Sequence, residues 1–399
     1  MKKQVPFRYI AALDLLLAAG MSIYWLSAGE TAADALQVFL AILTAGLPIP
    51  LWLSRPLALA RGAAKAKKQD ILLRSSAVLS EASHLDTLAV SKNGVVTEGA
   101  PYVAALIPEG TSQSSLLCMA ASAEYESRHP LGQAIRQSAV ERSLPVQPPA
   151  ACNEFPGCGV EALVARSSIR VGKPAWLQEE DVHISADLLT KADQISLRGQ
   201  TTVFVANSKY CRGIIVLDDT IPQDNLAAFR KLQRQGLRLI LLTGDSKRTA
   251  NAIRRQAGLD DVRPNLSPQD RVREIQLLQA RGATVAMIGQ GASSRPEMAE
   301  ADLCIQIGMT ENTSESQPPA DIILQSGKLW DLAVLLDISR KAMKVVRQNR
   351  IVAVITWLVL LPPALGLFHA FGGPFLPPGG ALAGQLLAAL LILANSLRA

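Results

Sequence analysis

Apolar residues are distributed unevenly, in long runs at both ends of the chain and in short, punctuated runs through its middle. Residues 9–28 form an apolar stretch of about one bilayer-spanning length, interrupted only by Asp14. An acidic loop, residues 30–34, leads to a second run at 35–53, which carries Pro48 and Pro50, with Pro56 just beyond. Prolines at that depth free backbone carbonyls that neighbouring helices must satisfy, so this pair is expected to pack against further spans. Residues 351–371 and 379–394 supply two more, joined by the turn F-G-G-P-F-L-P-P-G-G. Asp14 sits less than two helical turns from the basic terminus, and snorkelling or pairing with Arg8 is its expected state.

Between these ends the period changes. Residues 55–68 are basic with a helical pattern, and 85–90 form an apolar run that Asn93-Gly94 closes as a strand and tight turn. The stretch 104–142 is expected to be largely helical, with turn residues at 108–110. Residues 152–171 alternate around Gly157 and Gly159 and predict strands, and 201–217 predict two more. After Asp218-Asp219 come an amphipathic helix (226–235), a buried strand (237–242), helices at 249–257 and 271–279, and strands at 284–288 and 322–324. Such alternation predicts a parallel sheet covered by helices on both faces. Residues 330–349 are amphipathic and increasingly basic.

Composition sharpens this in four ways. At 399 residues there is room for two or three compact units. The hydrophobic share of 49% and mean hydropathy of +0.20 are concentrated at the ends, which makes them a membrane signal. The net charge of +6 comes from basic runs (Lys2, Lys3 and Arg8; 55–68; 340–350) that flank apolar segments, so it predicts cytoplasmic anchoring beside lipid and no nucleic-acid partner. Four spans place both termini and the whole middle on the cytoplasmic side of an integral membrane protein, expected in the plasma membrane. The first run is too long for a signal-peptide core. Cys118, Cys152, Cys158, Cys211 and Cys304 form no C-x-x-C pair, so reduced thiols and no metal cluster are expected.

The candidate chemistry lies at residues 84–99, H-L-D-T-L-A-V-S-K-N-G-V-V-T-E-G. This resembles the phosphorylation loop of P-type ATPases, D-K-T-G-T-L-T, set in V-D-T-V-V-F-D-K-T-G-T-L-T-E-G. Asp86, Thr87, Lys92, Gly94, Thr97, Glu98 and Gly99 keep their places, and Ser91 stands where the phosphate-accepting aspartate would. Further pieces follow in family order and resemble the carboxy-terminal half of the heavy-metal (copper, zinc, cadmium) branch. His129-Pro130 resembles the S-E-H-P-L signature, and Glu124 falls on the adenine-contacting acid. Gly157-Cys158-Gly159-Val160 resembles the G-x-G-V loop, Val171-Gly172-Lys173 resembles V-G-N, and Thr243-Gly244-Asp245 keeps T-G-D. The implied fold is membrane-anchored α/β: a haloacid-dehalogenase-like parallel sheet with an inserted nucleotide-binding α/β domain and about four transmembrane helices. Its expected domains are two spans in 1–60, a linker and first part of the phosphorylation-like domain in 61–100, a nucleotide-binding-like domain in 101–213, the second part in 214–330, and two spans in 331–399.

The same resemblance implies extensive loss. Phosphoryl transfer there needs an attacking carboxylate, a magnesium ion held by it and a second aspartate, and a lysine and threonine on the phosphate oxygens. The second aspartate falls on Gln290, the asparagine-aspartate pair on Ser293 and Ser294, and the site lysine on Arg271. In the membrane the C-P-C motif aligns with Leu47-Pro48-Ile49, the tyrosine-asparagine pair with Thr356-Trp357, and M-x-x-S-S with residues 385–389, leaving no soft-metal ligand. The T-G-E actuator, the spans before it and an amino-terminal C-x-x-C module are expected to be missing. No active catalytic residue is therefore expected. Ser91, Arg271, Gln290, Ser293 and Ser294 are degenerate positions, and Lys92, Thr243, Gly244 and Asp245 are phosphate-site remnants. Glu124, His129, Gly157, Gly159 and Gly172 remain as a pocket for ATP or ADP, with the magnesium site lost. The leading expectation is a nucleotide-binding pseudo-pump with a regulatory role beside another membrane protein or transporter. A heavy-metal exporter needing an actuator from elsewhere is one alternative. The other, a membrane scaffold that binds nothing, is favoured by Lys173 in place of asparagine and by Ala162 after the glycine loop.

Overall fold

In the computed structural model, which describes residues 7–127, 129–290, 295–308 and 320–399, thirteen strands form two sheets. Chain order is β1 (Ile71–Leu73), β2 (Thr87–Ser91), β3 (Tyr102–Pro108), β4 (Ala151–Phe155), β5 (Gly159–Val164), β6 (Ser167–Gly172) and β7 (Thr201–Asn207). Then come β8 (Tyr210–Asp218), β9 (Arg238–Leu242), β10 (Asp261–Arg263), β11 (Val285–Gly289), β12 (Leu303–Ile307) and β13 (Ile322–Leu324). The first sheet runs β1-β13-β12-β11-β2-β9-β10, parallel except for β1 at its edge. β2 and β11 are buried at every position because helices cover both faces, which is why their sequences are apolar without alternation. The second sheet, β3-β8-β7-β6-β5-β4, is wholly antiparallel. Helices Gln113–Ala123 and Pro130–Glu141 pack their alanines and leucines into one of its two cores.

One predicted element changes type. The segment expected to be helical from residue 104 opens as β3, paired in register with β8 from Tyr102↔Asp218 to Pro108↔Gly213. Tertiary pairing there outweighs the helical preference of Ala104-Ala105-Leu106. Its two helices start later, at Gln113 and Pro130.

A separate unit gathers residues 1–69, 75–83 and 335–399, and the remainder of the chain forms the other. Among the described residues, three helical segments are long and apolar enough to cross a membrane: Ala32–Lys67, Trp330–Ala364 and Pro378–Ser396. Phe7–Ser27 is a fourth apolar helix. The first of the three breaks where its prolines fall, into Ala32–Gly46, Ile49–Ser54 and Pro56–Lys67. This unit is inside out relative to a water-soluble bundle. Leu16, Leu386, Leu387 and Leu390 face outward, whereas Ala18, Ala41, Ala45, Ala364 and Ala381 fill the interior. Small interior residues let helices approach closely where lipid removes the hydrophobic drive to associate. Asp14 does not snorkel but is buried against Gly46, and the side chain of Arg8, its other expected partner, lies outside the described residues.

Candidate functional site

The carboxyl ends of neighbouring parallel strands are where open α/β sheets place their ligands. Here those ends carry the predicted motifs. Ser91 closes β2 opposite Leu242 of β9, whose continuation is Thr243-Gly244-Asp245, and β11 on the other side runs out at Gly289 into Gln290. The turn Lys92–Val96 follows β2 and needs Gly94 at φ +72°, where a side chain would be strained.

Several of the groups that meet there pair with one another, while Ser91 Oγ and Asp219 Oδ1 are left without a hydrogen-bond partner among the described residues. Lys92 Nζ lies 2.8 Å from Asp245 Oδ2 and donates to Thr201 Oγ1 at 3.0 Å. Thr243 Oγ1 accepts from the Asp245 N–H at 3.1 Å. Thr97 Oγ1 donates to Asp219 Oδ2 at 2.5 Å; burial raises the Asp219 pKa, while that bond and Lys92 oppose the rise. The Gln290 amide sits directly on Gly94, so that a Cβ at Gly94 would fall 1.6 Å from Gln290 Oε1. Ser91 Oγ is buried with no hydrogen-bond partner among the described residues. A cavity of about 30 Å³ between Lys92, Thr97, Thr201 and Asp219 has room for about one water.

Arg271 makes a 2.7 Å ion pair with Glu297, a carboxylate with no exposed surface whose pKa burial raises and Arg271 opposes. Glu297 had no motif to announce it. Ser293 and Ser294 lie outside the described residues.

The second group of predicted residues collects on the antiparallel sheet. Glu124 ends the helix Gln113–Ala123, and its carboxylate packs on Gly132, where a Cβ would lie 2.4 Å from Oε2. That oxygen is buried without a hydrogen-bond partner among the described residues. Desolvation raises the Glu124 pKa to about 6, aided by Glu154 and opposed by Ser127 and Arg136. His129 caps the helix Pro130–Glu141, its Nδ1 accepting from the Leu131 N–H at 3.2 Å. The residue is exposed by area, yet desolvation lowers its pKa, against Glu154 and Asp245. The accepting Nδ1 decides the matter in favour of a neutral ring.

Gly159 and Gly172 pair across β5 and β6, and their missing side chains are accounted for by neighbours. A Cβ on Gly159 would meet the Val171 carbonyl at 2.3 Å and Trp176 at 2.6 Å; one on Gly172 would meet the Cys158 carbonyl at 2.6 Å. Gly157, at φ +80°, faces open space. Lys173 reaches across to the first sheet, donating to the Gly244 carbonyl at 3.2 Å. Gln256 Nε2 donates to Arg198 O at 3.0 Å, and Arg248 pairs with Asp193. With Lys92–Thr201, these contacts join the two sheets along the T-G-D loop. Trp176, Thr201 and Glu154 were not expected from sequence. Thr201 and Glu154 lie far along the chain from the residues they meet, and Trp176, near Gly172 in sequence, packs on Gly159 as well only once β5 and β6 pair.

The chain is 31% identical over 391 residues to a probable copper-exporting P-type ATPase of Archaeoglobus fulgidus, covering 98% of this chain and 48% of that one. It is 32% identical over 380 residues to a copper-exporting P-type ATPase of Bacillus subtilis, covering 94% and 45%. The chain thus spans about half the length of the curated relatives it matches, their carboxy-terminal half. The crystal structure of a zinc-transporting PIB-type ATPase in its E2.Pi state superposes with a TM-score of 0.69 at 28% identity, covering 99% of this chain and 62% of that one. The catalytic domain of the CPx-ATPase CopB-B gives 0.54 at 26% identity, covering 69% and 98%. A family model for haloacid dehalogenase-like hydrolases matches residues 86–302. By that match the chain belongs to the haloacid dehalogenase-like hydrolase family, and its homologues are heavy-metal P-type ATPases.

Proposed function

We propose that this protein is a catalytically degenerate P-type ATPase homologue that binds adenine nucleotide and neither autophosphorylates nor transports a heavy metal. The observation that carries the reading is the closure of the Gln290 amide on Gly94, beside a Lys92 already paired with Asp245. Magnesium takes hard oxygen ligands, and an acyl phosphate needs a carboxylate. At the matched positions stand a hydroxyl and an amide, and the neighbouring carboxylate is held by a lysine; these residues do not fit the ion. A serine ester would not discharge as an acyl phosphate does, and no base lies within hydrogen-bond reach of Ser91 Oγ among the described residues.

Adenine is a different matter. The unpartnered Glu124 Oε2 is a buried acceptor suited to an exocyclic amino group, and the neutral His129 ring offers a face for stacking. Recognition would rest on the base more than on the phosphates. In this reading the central region is cytoplasmic, the host is the plasma membrane, and nucleotide occupancy alters contact with another membrane protein.

The test uses the full chain in nanodiscs. Incubation with γ-labelled ATP should give no phosphoenzyme, and ATP or ADP should bind equally with and without magnesium, with binding lost in Glu124→Ala. A phosphoenzyme that disappears in Ser91→Ala would overturn the reading. One observation favours the scaffold instead: Trp176 and the facing strand already account for Gly159 and Gly172. Absence of binding at millimolar nucleotide in folded protein would establish that alternative.

A further inference from the structure

Two buried polar side chains of the membrane unit play no part in nucleotide recognition, and both converge on one helical turn. Asp14, on the helix Phe7–Ser27, is 6% exposed and packs on Gly46, where a Cβ would meet Oδ2 at 2.6 Å and Oδ1 at 3.0 Å. Gly46 is the last residue of the helix Ala32–Gly46. Beyond it Pro48 and Pro50 have no N–H to offer the Thr44 and Gly46 carbonyls. Gln385, on the helix Pro378–Ser396, is 2% exposed and donates from Nε2 to the Ala45 carbonyl at 2.6 Å. Its Oε1 is buried without a hydrogen-bond partner among the described residues. No hydrogen bond or ion pair joins Asp14 to another described residue.

Among the described residues, the side-chain atoms left without a partner at this point are oxygens. A bare carboxylate and an orphaned amide oxygen in a lipid-embedded interior are each costly, and intramembrane acids persist where they bind something. We propose that Asp14, Gln385 Oε1 and the carbonyl end of the Ala32–Gly46 helix bind one alkali cation, sodium or potassium. Oxygen-only donors select a hard ion and reject copper or silver, which take thiolate or thioether. One carboxylate balances one positive charge; a divalent ion would leave a net charge in a low-dielectric site. Broken helices whose freed carbonyls face a buried side chain are a recurring way to hold such ions in membranes.

Binding of radiolabelled sodium and thallium, the latter standing in for potassium, is measured on the full chain in nanodiscs, with choline as background. Wild type should show one saturable site, with affinity falling at least about tenfold in Asp14→Asn and also weakened in Gln385→Leu. Competition between the two ions shows which is preferred. Absence of saturable binding in wild type, or unchanged binding in Asp14→Asn, would overturn the proposal. So would a wild type whose thermal stability follows pH but no alkali cation, because a proton then neutralises Asp14. The wild-type titration decides even where a variant fails to fold.

Discussion

Glu124 is held in the less comfortable of its two states at neutral pH. Its pKa of about 6, against an ordinary 4.5, means that burial favours the neutral acid. A folded pKa raised in this way stabilises the protein fully below the unfolded value and loses that contribution as pH rises through about 6. Above that, the ionised form costs about 2 kcal/mol. Glu124→Gln should therefore raise stability to denaturant by about that amount at pH 7.5, and by nothing at pH 4, while weakening ADP binding. A uniform gain across pH would mean that the charge is not the cause. Gly159→Ala makes the opposite point: it should cost about 1–3 kcal/mol, because its methyl group meets a backbone carbonyl. Gly159→Ala with Trp176→Ala should recover little, as the Val171 carbonyl stays in place. The glycine was legible in the sequence as a motif, but its packing partner was not.

The elements that carry motifs were readable where local pattern and final environment agree. Pro48 and Pro50 stand where the helix Ala32–Gly46 ends, and the apolar run 239–242 of β9 announced a strand buried on both faces. β3 was misread because an alanine-rich run looks helical until β8 pairs with it. The candidate site shows the same divide. Ser91, Asp245 and Glu124 could be located by motif, whereas the seating of Gln290 on Gly94 and the 71-residue reach of Lys173 to Gly244 depend on how strands are brought together. Apart from the part-buried Lys92–Thr201 bond, the contacts joining the two sheets are exposed and individually weak. Lys173→Ala should change unfolding free energy by less than about 0.5 kcal/mol, yet speed amide exchange in residues 243–246 severalfold. Equal exchange in wild type and variant would show that Lys173 does not hold the T-G-D loop.

Across the membrane unit as a whole, the segments that follow the helices Phe7–Ser27 and Trp330–Ala364 are tied by a titratable pair. His369 Nε2 lies 2.8 Å from Glu30 Oε1, and its Nδ1 is 3.1 Å from the Gly373 carbonyl. The ring stacks on Phe375 at 3.8 Å and meets Trp25 edge-on at 5.2 Å. Trp25 in turn donates to the Leu365 carbonyl. The Glu30 hydrogen bond raises the His369 pKa; desolvation opposes it, while the Gly373 carbonyl and the charges of Glu30 and Asp34 add to it. Because the folded value is raised, the pair's contribution is complete below the ordinary histidine range near 6.5 and is lost as pH climbs through the raised value. Thermal unfolding of the full chain in nanodiscs, followed by tryptophan fluorescence, should show a higher Tm for wild type than for His369→Gln at pH 5.5. The gap should close by pH 9, and Glu30→Gln should remove most of it at every pH. Parallel wild-type and His369→Gln profiles would mean that the two loops are held by the aromatic stack alone, with the proton irrelevant to how the helices stay together.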